Sequence, residues 1–333
     1  MGRPRPASTA RPAAASEVRF GDAVVVEWLL EGDPSIRWQT LRDLVGAPKR
    51  RVTGERARVA LEGWGARLLS LQDAEGTWAG GQSGDGGLYS PKWTSTTYTM
   101  LLLRDLGLAP VDPNAARACA LLLDQGLQKD GGIAYGFWKQ SETCVTGMVL
   151  SILSYFEIED ERLDRIAEHL LEQQMPDGGW NCRRRRGATH SSVHTTISAL
   201  EGLRFYQLHR AREQRDVRAA GVRGREFLLM HRLFRSDRTG RVIKPEFTHF
   251  HFPPRWHYDV LRGLDHFRDV GAPRDDRLSD AIDVVLERRR SDGRWLLERR
   301  WSGKTYFQLE RIGAASRWNT LRALRVLKWW EGG

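Results

Sequence analysis

Four times along this chain an apolar helical run breaks at Asp-Gly or a near equivalent and is followed by an aromatic residue. The copies are "LLSLQDAEGTWAGG" at 68–81, "LLLDQGLQKDGGIAYG" at 121–136, "LLEQQMPDGGWN" at 170–181 and "VLERRRSDGRWL" at 285–296. A weaker fifth is "LMHRLFRSDRTGRV" at 229–242. Gly takes the positive φ that ends a helix, Asp favours the same turn, and the Trp or Tyr that follows can lie back across the helix end. After each break comes a second helix with small and polar residues near its start, at 92–106, 141–153, 189–203, 255–267 and 316–327, with an earlier one at 35–44. Almost nothing alternates with period two, so strand signals are missing. A two-helix unit of about 45–55 residues, repeated five or six times, means stacked helical hairpins. Ser, Thr, His, Cys and Trp recur at the starts of the second helices. In a closed ring those ends converge on one mouth, and an open solenoid gives them no such common destination. The expected fold is therefore an all-α, α/α toroid of five to six hairpins, one domain over 21–333, preceded by a disordered Pro/Ala/Arg-rich tail over 1–20.

Composition narrows the function. No apolar run approaches the ~20 residues that span a bilayer. The opening residues lack the apolar core of a secretory signal, and three Cys (Cys119, Cys144, Cys182) cannot make a paired framework. Both point to a reducing cytoplasm, with peripheral membrane contact left open. The formal charge of +10 favours anionic partners. Nucleic acid is set aside, because zinc-finger spacing, RNP-type motifs and a basic helix with a dimer seam are all missing. The oligomeric state is not legible.

Several residues fall where the ring's mouth is expected. Cys182 follows the third Asp-Gly-Gly break, His190 and His194 lie four apart on what reads as one helix face, and Glu142 and Cys144 open the preceding second helix. Thiolate and imidazole together favour zinc, which in a catalytic site takes three protein ligands and keeps one position open. The plainer reading makes Cys144 a small buried hydrophobe and His194 a hydrogen-bonded wall residue. Asp259 is the alternative centre. A carboxyl held among Trp256, His257 and Tyr258 in an apolar pocket has its pKa raised and can act as a general acid, while ring faces attract a carbocation. The plainer reading there is a helix N-cap, favoured by the dipole and paired with Arg255 or Arg262. Asp259, His257 and His194 form the candidate catalytic set. Arg184 and Arg185, in "CRRRRGATH", offer a diphosphate bidentate guanidinium contacts. Lys139 and Arg255 complete that collar, and Trp93 joins the aromatic lining.

The run Gln174, Asp177, Gly178, Gly179, Trp180 resembles the repeat of squalene cyclases and of protein prenyltransferase β subunits, over about residues 30–330. The resemblance implies an α/α barrel whose apolar cavity holds an isoprenoid chain. The cyclases' Asp-x-Asp-Asp motif has no match; "WHYDVL" offers one carboxylate, Asp259. The "RDDRLSD" run at 274–280 lacks the spacing of the magnesium motif of ionising terpene synthases. The prenyltransferase zinc site looks like Asp-x-Cys plus a later His, with a Lys five residues before the Cys. Lys139, Glu142, Cys144 and His194 follow those offsets, with Glu for Asp, whereas the family's following Tyr is Val145 here. The partner α subunit has no counterpart. The reading that follows is a terpenoid cyclase- or prenyltransferase-like enzyme acting on an isoprenoid diphosphate, zinc-assisted. A zinc enzyme with a non-isoprenoid substrate and a non-catalytic binding module are the alternatives.

Overall fold

The structure is a computed structural model that describes residues 23–80, 83–136, 140–210 and 214–332. The tail expected over 1–20 and the candidate Lys139 lie outside the described residues. Among those described, thirteen α-helices account for the architecture. Six pairs follow one another: α1 (Ala23–Leu30) and α2 (Pro34–Thr40), α4 (Gly63–Leu69) and α5 (Thr96–Leu106), α6 (Pro113–Gly126) and α7 (Thr143–Tyr155), α8 (Arg162–Gln173) and α9 (Val193–His209), α10 (Arg215–Met230) and α11 (Val260–Asp269), α12 (Ser279–Glu287) and α13 (Arg317–Gly332). An extra helix, α3 (Lys49–Ala57), buries none of its residues. Two-residue strands β1 (Trp295–Leu296) and β2 (Ala315–Ser316) pair antiparallel beside α13. The hairpin count settles at six.

The second helices close a ring, and each joint can be named. Trp38 on α2 donates its indole N–H to the Leu106 carbonyl of α5, 2.9 Å. Arg104 on α5 donates to Ser151 Oγ on α7, 2.6 Å. Helices α7 and α9 meet backbone to backbone: a Cβ added at Gly202 would lie 2.5 Å from the Gly147 carbonyl oxygen. Glu201 on α9 receives both Nε and Nη2 of Arg262 on α11, at 2.7 and 2.8 Å. Arg325 on α13 donates Nε to Asp265 of α11, 2.8 Å. The same guanidinium donates Nη1 to Gln39 of α2, 2.9 Å, and the circle is complete.

The repeat explains how each hairpin is fixed to the next. Trp78, Trp180 and Trp295 are fully buried. Each donates its indole N–H to a carbonyl ten residues earlier, at the end of its outer helix: Leu68, Leu170 and Val285, at 2.8, 2.7 and 2.7 Å. Each also donates its backbone N–H to a Thr hydroxyl of the following inner helix, Thr96, Thr196 or Thr320. Gln174 spans repeats, donating to the Gly178 carbonyl and to that of Ala220 on α10. Gln72 does the same toward Asn114 on α6. Gly178 takes φ +91, and a Cβ there would meet the Arg223 carbonyl oxygen at 2.6 Å. Each motif residue thus ties one outer helix end to an inner helix start or to the neighbouring hairpin.

Candidate functional site

The N-terminal ends of the inner helices gather aromatic rings from four segments. Tyr89 and Trp93 come from the loop before α5, and Tyr98 from its first turn. Trp256 and His257 precede α11, and Trp301 precedes α13. His257 is sandwiched, its ring 3.7 Å from that of Trp256 and 3.4 Å from that of Trp301. Trp93 meets His257 edge-on at 5.8 Å and Tyr98 at 4.8 Å, and Tyr98 continues to Tyr89 at 5.3 Å. The buried indole nitrogens of Trp256 and Trp301 have no acceptor among the described residues. Trp93 is a wall residue by contrast, its indole N–H donated to the Ser302 carbonyl, 2.9 Å.

His194 lies in the first turn of α9. Its Nδ1 accepts the Tyr258 backbone N–H at 2.9 Å, which leaves the ring proton on Nε2. Burial, with Lys244 and Arg262 nearby, lowers its pKa to about 3. Burial, with His194 and His251 nearby, lowers that of His257 to about 2. Both imidazoles are therefore neutral at physiological pH. Tyr258 itself turns its ring into the wall, against Phe247 at 5.0 Å, with its hydroxyl beside Gly263 of α11.

Asp259 departs from the expected raised pKa. It is buried, but its Oδ1 accepts the Arg262 backbone N–H at 2.7 Å and its Oδ2 that of His251 at 3.1 Å. The Arg322 guanidinium stands 3.5 Å away. Burial alone would raise the carboxyl; Arg322 and His251 together outweigh it and hold the group below its ordinary value. It caps α11 as an ionised carboxylate. The arginine it pairs with is Arg322 on α13, and neither Arg255 nor Arg262 fills that place.

Of the proposed metal ligands, Cys144 and Cys182 meet, and no third joins them among the described residues. Cys144, in the first turn of α7, donates its backbone N–H to Cys182 Sγ at 3.1 Å, and Thr195 donates its hydroxyl to the same sulfur at 3.4 Å. These donors and the Cys144 thiol push the Cys182 thiol down; the hydrogen bond to Cys182, burial and Glu142 push the Cys144 thiol up. Glu142 is the N-cap residue of α7, without a side-chain cap bond. His194 engages Tyr258 through Nδ1. His190 does not share a helix face with it: α9 begins at Val193, because Asp177 ties Ser191 through its N–H and its hydroxyl and keeps 190–192 out of the helix. His190 is exposed. Among the described residues no three His, Cys, Asp or Glu side chains are placed to hold one metal ion. Two thiols without a third ligand do not fit zinc.

The basic collar also divides. Arg185 pairs with Asp130 at 2.6 Å and Arg184 donates to the Glu172 carbonyl, both exposed on the outer rim. Arg255 is buried inside the ring at φ +59, its guanidinium 5.6 Å from the Trp93 ring, and burial lowers its pKa to about 10. Sequence reasoning passed over Trp301, Tyr89, Tyr98 and Lys92. Lys92 stands 5.6, 5.7 and 5.5 Å from the rings of Tyr89, Trp93 and Trp256. A search for aromatics flanking every inner-helix start, beyond those beside a His or Cys, would have found them.

No family model matches the sequence, and no curated protein matches it. Solved structures are similar to it. A protein from Actinoplanes is 16% identical over 90% of this chain and 90% of its own, with a TM-score of 0.45. A variant of the type II terpene cyclase MstE from Scytonema, in complex with geranylgeranyl dihydroxybenzoate (substrate), is 16% identical over 91% of this chain and 88% of its own, TM-score 0.45. Another variant of that cyclase, without ligand, is 18% identical over 82% and 78%, TM-score 0.43. The likeness is loose, and the fold described above rests on the chain's own contacts.

Proposed function

We propose that the protein is a terpenoid cyclase-like enzyme that lays an isoprenoid chain against the aromatic mouth of the ring. The observation that carries this reading is the stack Trp256–His257–Trp301 beside Trp93 and Tyr98, with the imidazoles neutral. Ring faces attract a cation, and a protonated imidazole in the same wall would repel one. Lys92 and Arg255 flank the Trp93 ring, at 5.7 and 5.6 Å; they suit the diphosphate end of the substrate.

With Asp259 held as the cap of α11 beside Arg322, the reaction we propose starts by ionisation of an allylic diphosphate. The allylic C–O bond breaks, its electron pair leaves with the diphosphate toward Lys92 and Arg255, and the positive charge spreads along the chain under the ring faces. A carbocation surrenders an adjacent proton even to a weak base. That C–H bond's electrons then form the product alkene, and the proton goes to a nitrogen of His257, which returns it to water. His194 is excluded as the acceptor through Nδ1, which already holds the Tyr258 N–H. Its Nε2–H is a donor toward substrate oxygen. Zinc enters no step.

Incubation with geranylgeranyl diphosphate, read by release of inorganic diphosphate and by mass spectrometry of the extracted hydrocarbon, tests the reading. Turnover of the diphosphate with formation of an olefin, slowed in His257→Ala, is the expected result. Binding without turnover would mean a carrier, and neither binding nor turnover would end the isoprenoid reading.

A further inference from the structure

The interior of the ring behind the aromatic mouth is chemically unlike it. Phe252 stacks on Trp318, in the first turn of α13, with ring centroids 4.1 Å apart, and both rings border a cavity of about 350 Å³ that extends from there to the far ends of the inner helices. All six inner helices reach it, through Gln39, Arg104, Tyr155, Glu201, His266 and Arg322. Its volume falls in the range of small-molecule pockets, roughly 300–1,000 Å³.

Eight arginines line this space against four carboxylates, Asp105, Glu201, Asp265 and Asp269. Asp43 and Asp259 reach the same arginines from outside the lining. That makes six carboxylates for eight guanidinium groups. Arg56 shows where the excess lies: its donors go to the Gly107 and Leu108 carbonyls and to the Tyr155 hydroxyl, and to no carboxylate among the described residues. It and Arg42 lie over the Trp38 ring, at 5.2 and 4.5 Å.

A second observation is independent of the charge count. His266 is 5% exposed and Trp318 is 2% exposed. His266 Nε2 and Trp318 Nε1 have no hydrogen-bond partner among the described residues, and both residues line the cavity. Buried polar nitrogens are almost always paired, so two unpaired ones on residues that border the cavity mark surroundings whose polar groups the chain leaves incompletely satisfied. Trp38, Tyr155 and Phe205 supply apolar wall between the charges.

We propose that this cavity binds a small organic anion, a phosphate- or carboxylate-bearing molecule with an aromatic or aliphatic body. Its charge answers the arginine surplus, and its body lies against Trp38, Tyr155 and Phe205. This site adjoins the aromatic mouth, where Arg262 donates to the His257 carbonyl at 2.6 Å, but it does not rest on the isoprenoid reading.

Isothermal titration at fixed ionic strength with phenyl phosphate, benzoate and phenol tests it on the full chain. Saturable binding of phenyl phosphate or benzoate, with phenol not bound, is expected, and the better of the two anions names the headgroup. Arg56→Gln should weaken that binding about tenfold, the worth of one charged hydrogen bond. Arg42→Gln, on the same Trp38 ring, should weaken it as well and decides the matter if the first variant does not fold. Arg235→Gln, in an ion pair with Asp280 outside this cavity, should leave it unchanged. Failure of both anions to bind, or binding indifferent to Arg56→Gln and Arg42→Gln alike, overturns the proposal.

Discussion

His257 lies flat on Trp301, ring centroids 3.4 Å apart and planes 7° from parallel. An imidazole so covered serves as part of the aromatic wall only while it is uncharged. Nitrogen-detected NMR of the histidines should therefore show His257 still neutral at pH 5, well below the ordinary midpoint of 6.5. In Trp301→Ala, where one face of the ring is open to water, its midpoint should climb toward that ordinary value. A wild-type midpoint near 6.5 would contradict the packing.

Acid should destabilise the fold early. The folded-state pKa values of His194, His257 and His266 are lowered from 6.5 to about 3, 2 and 4. Below 6.5 the unfolded chain binds more protons than the folded one, so stability is complete above 6.5 and declines as pH falls. Each imidazole contributes at most about 1.4 kcal/mol per pH unit until its own folded pKa is reached. Glu201, held at about 2 against burial by Arg262 and Arg104, adds the same sign below 4.5. Urea midpoints between pH 8 and 4 check this; a flat profile down to 5 would refute it.

Gly147 and Gly202 set the spacing of α7 and α9. A methyl at Gly147 would lie 2.5 Å from the Ser198 carbonyl oxygen, a backbone atom that cannot rotate away. Gly147→Ala should lower the unfolding free energy by about 1–3 kcal/mol, the usual cost of overpacking, despite Ala's better helix propensity. Chemical denaturation followed by circular dichroism measures it, and a stabilised variant would mean that the two helices are not in contact.

The three thiols should differ in reactivity. Cys182 accepts two donors and is pushed down, whereas burial alone pushes Cys119 up. Alkylation by iodoacetamide at pH 7.5, followed by peptide mass spectrometry, should label Cys182 first and leave Cys119 for last. Equal rates would contradict the arrangement at the start of α7.

The toroid was legible because its signal is repeated: Gln174, Gly178 and Trp180 each have a local task, and Gln72 and Trp78 perform the same ones one hairpin away. The site was less so, because its membership depends on where side chains turn after the helix starts. His190 and His194 have a helical spacing in sequence, yet the Asp177–Ser191 bond delays the helix to Val193 and parts them. Asp259 was readable as a cap but not as a partner of Arg322, sixty-three residues later on the last inner helix. The arginine cavity was invisible for the same reason: its lining comes from all six inner helices.

The central claim is that the aromatic mouth holds an isoprenoid chain, and direct binding tests it most simply. Quenching of tryptophan fluorescence by geranylgeranyl diphosphate, and by geranylgeraniol as the uncharged control, should saturate for both ligands in the wild-type protein. In Trp256→Ala both affinities should fall by about tenfold, the loss of one aromatic face from the wall, with the helical circular dichroism signal unchanged. In Lys92→Gln only the diphosphate should weaken. Saturation that is indifferent to Trp256→Ala, or no saturation by either ligand, would contradict the account.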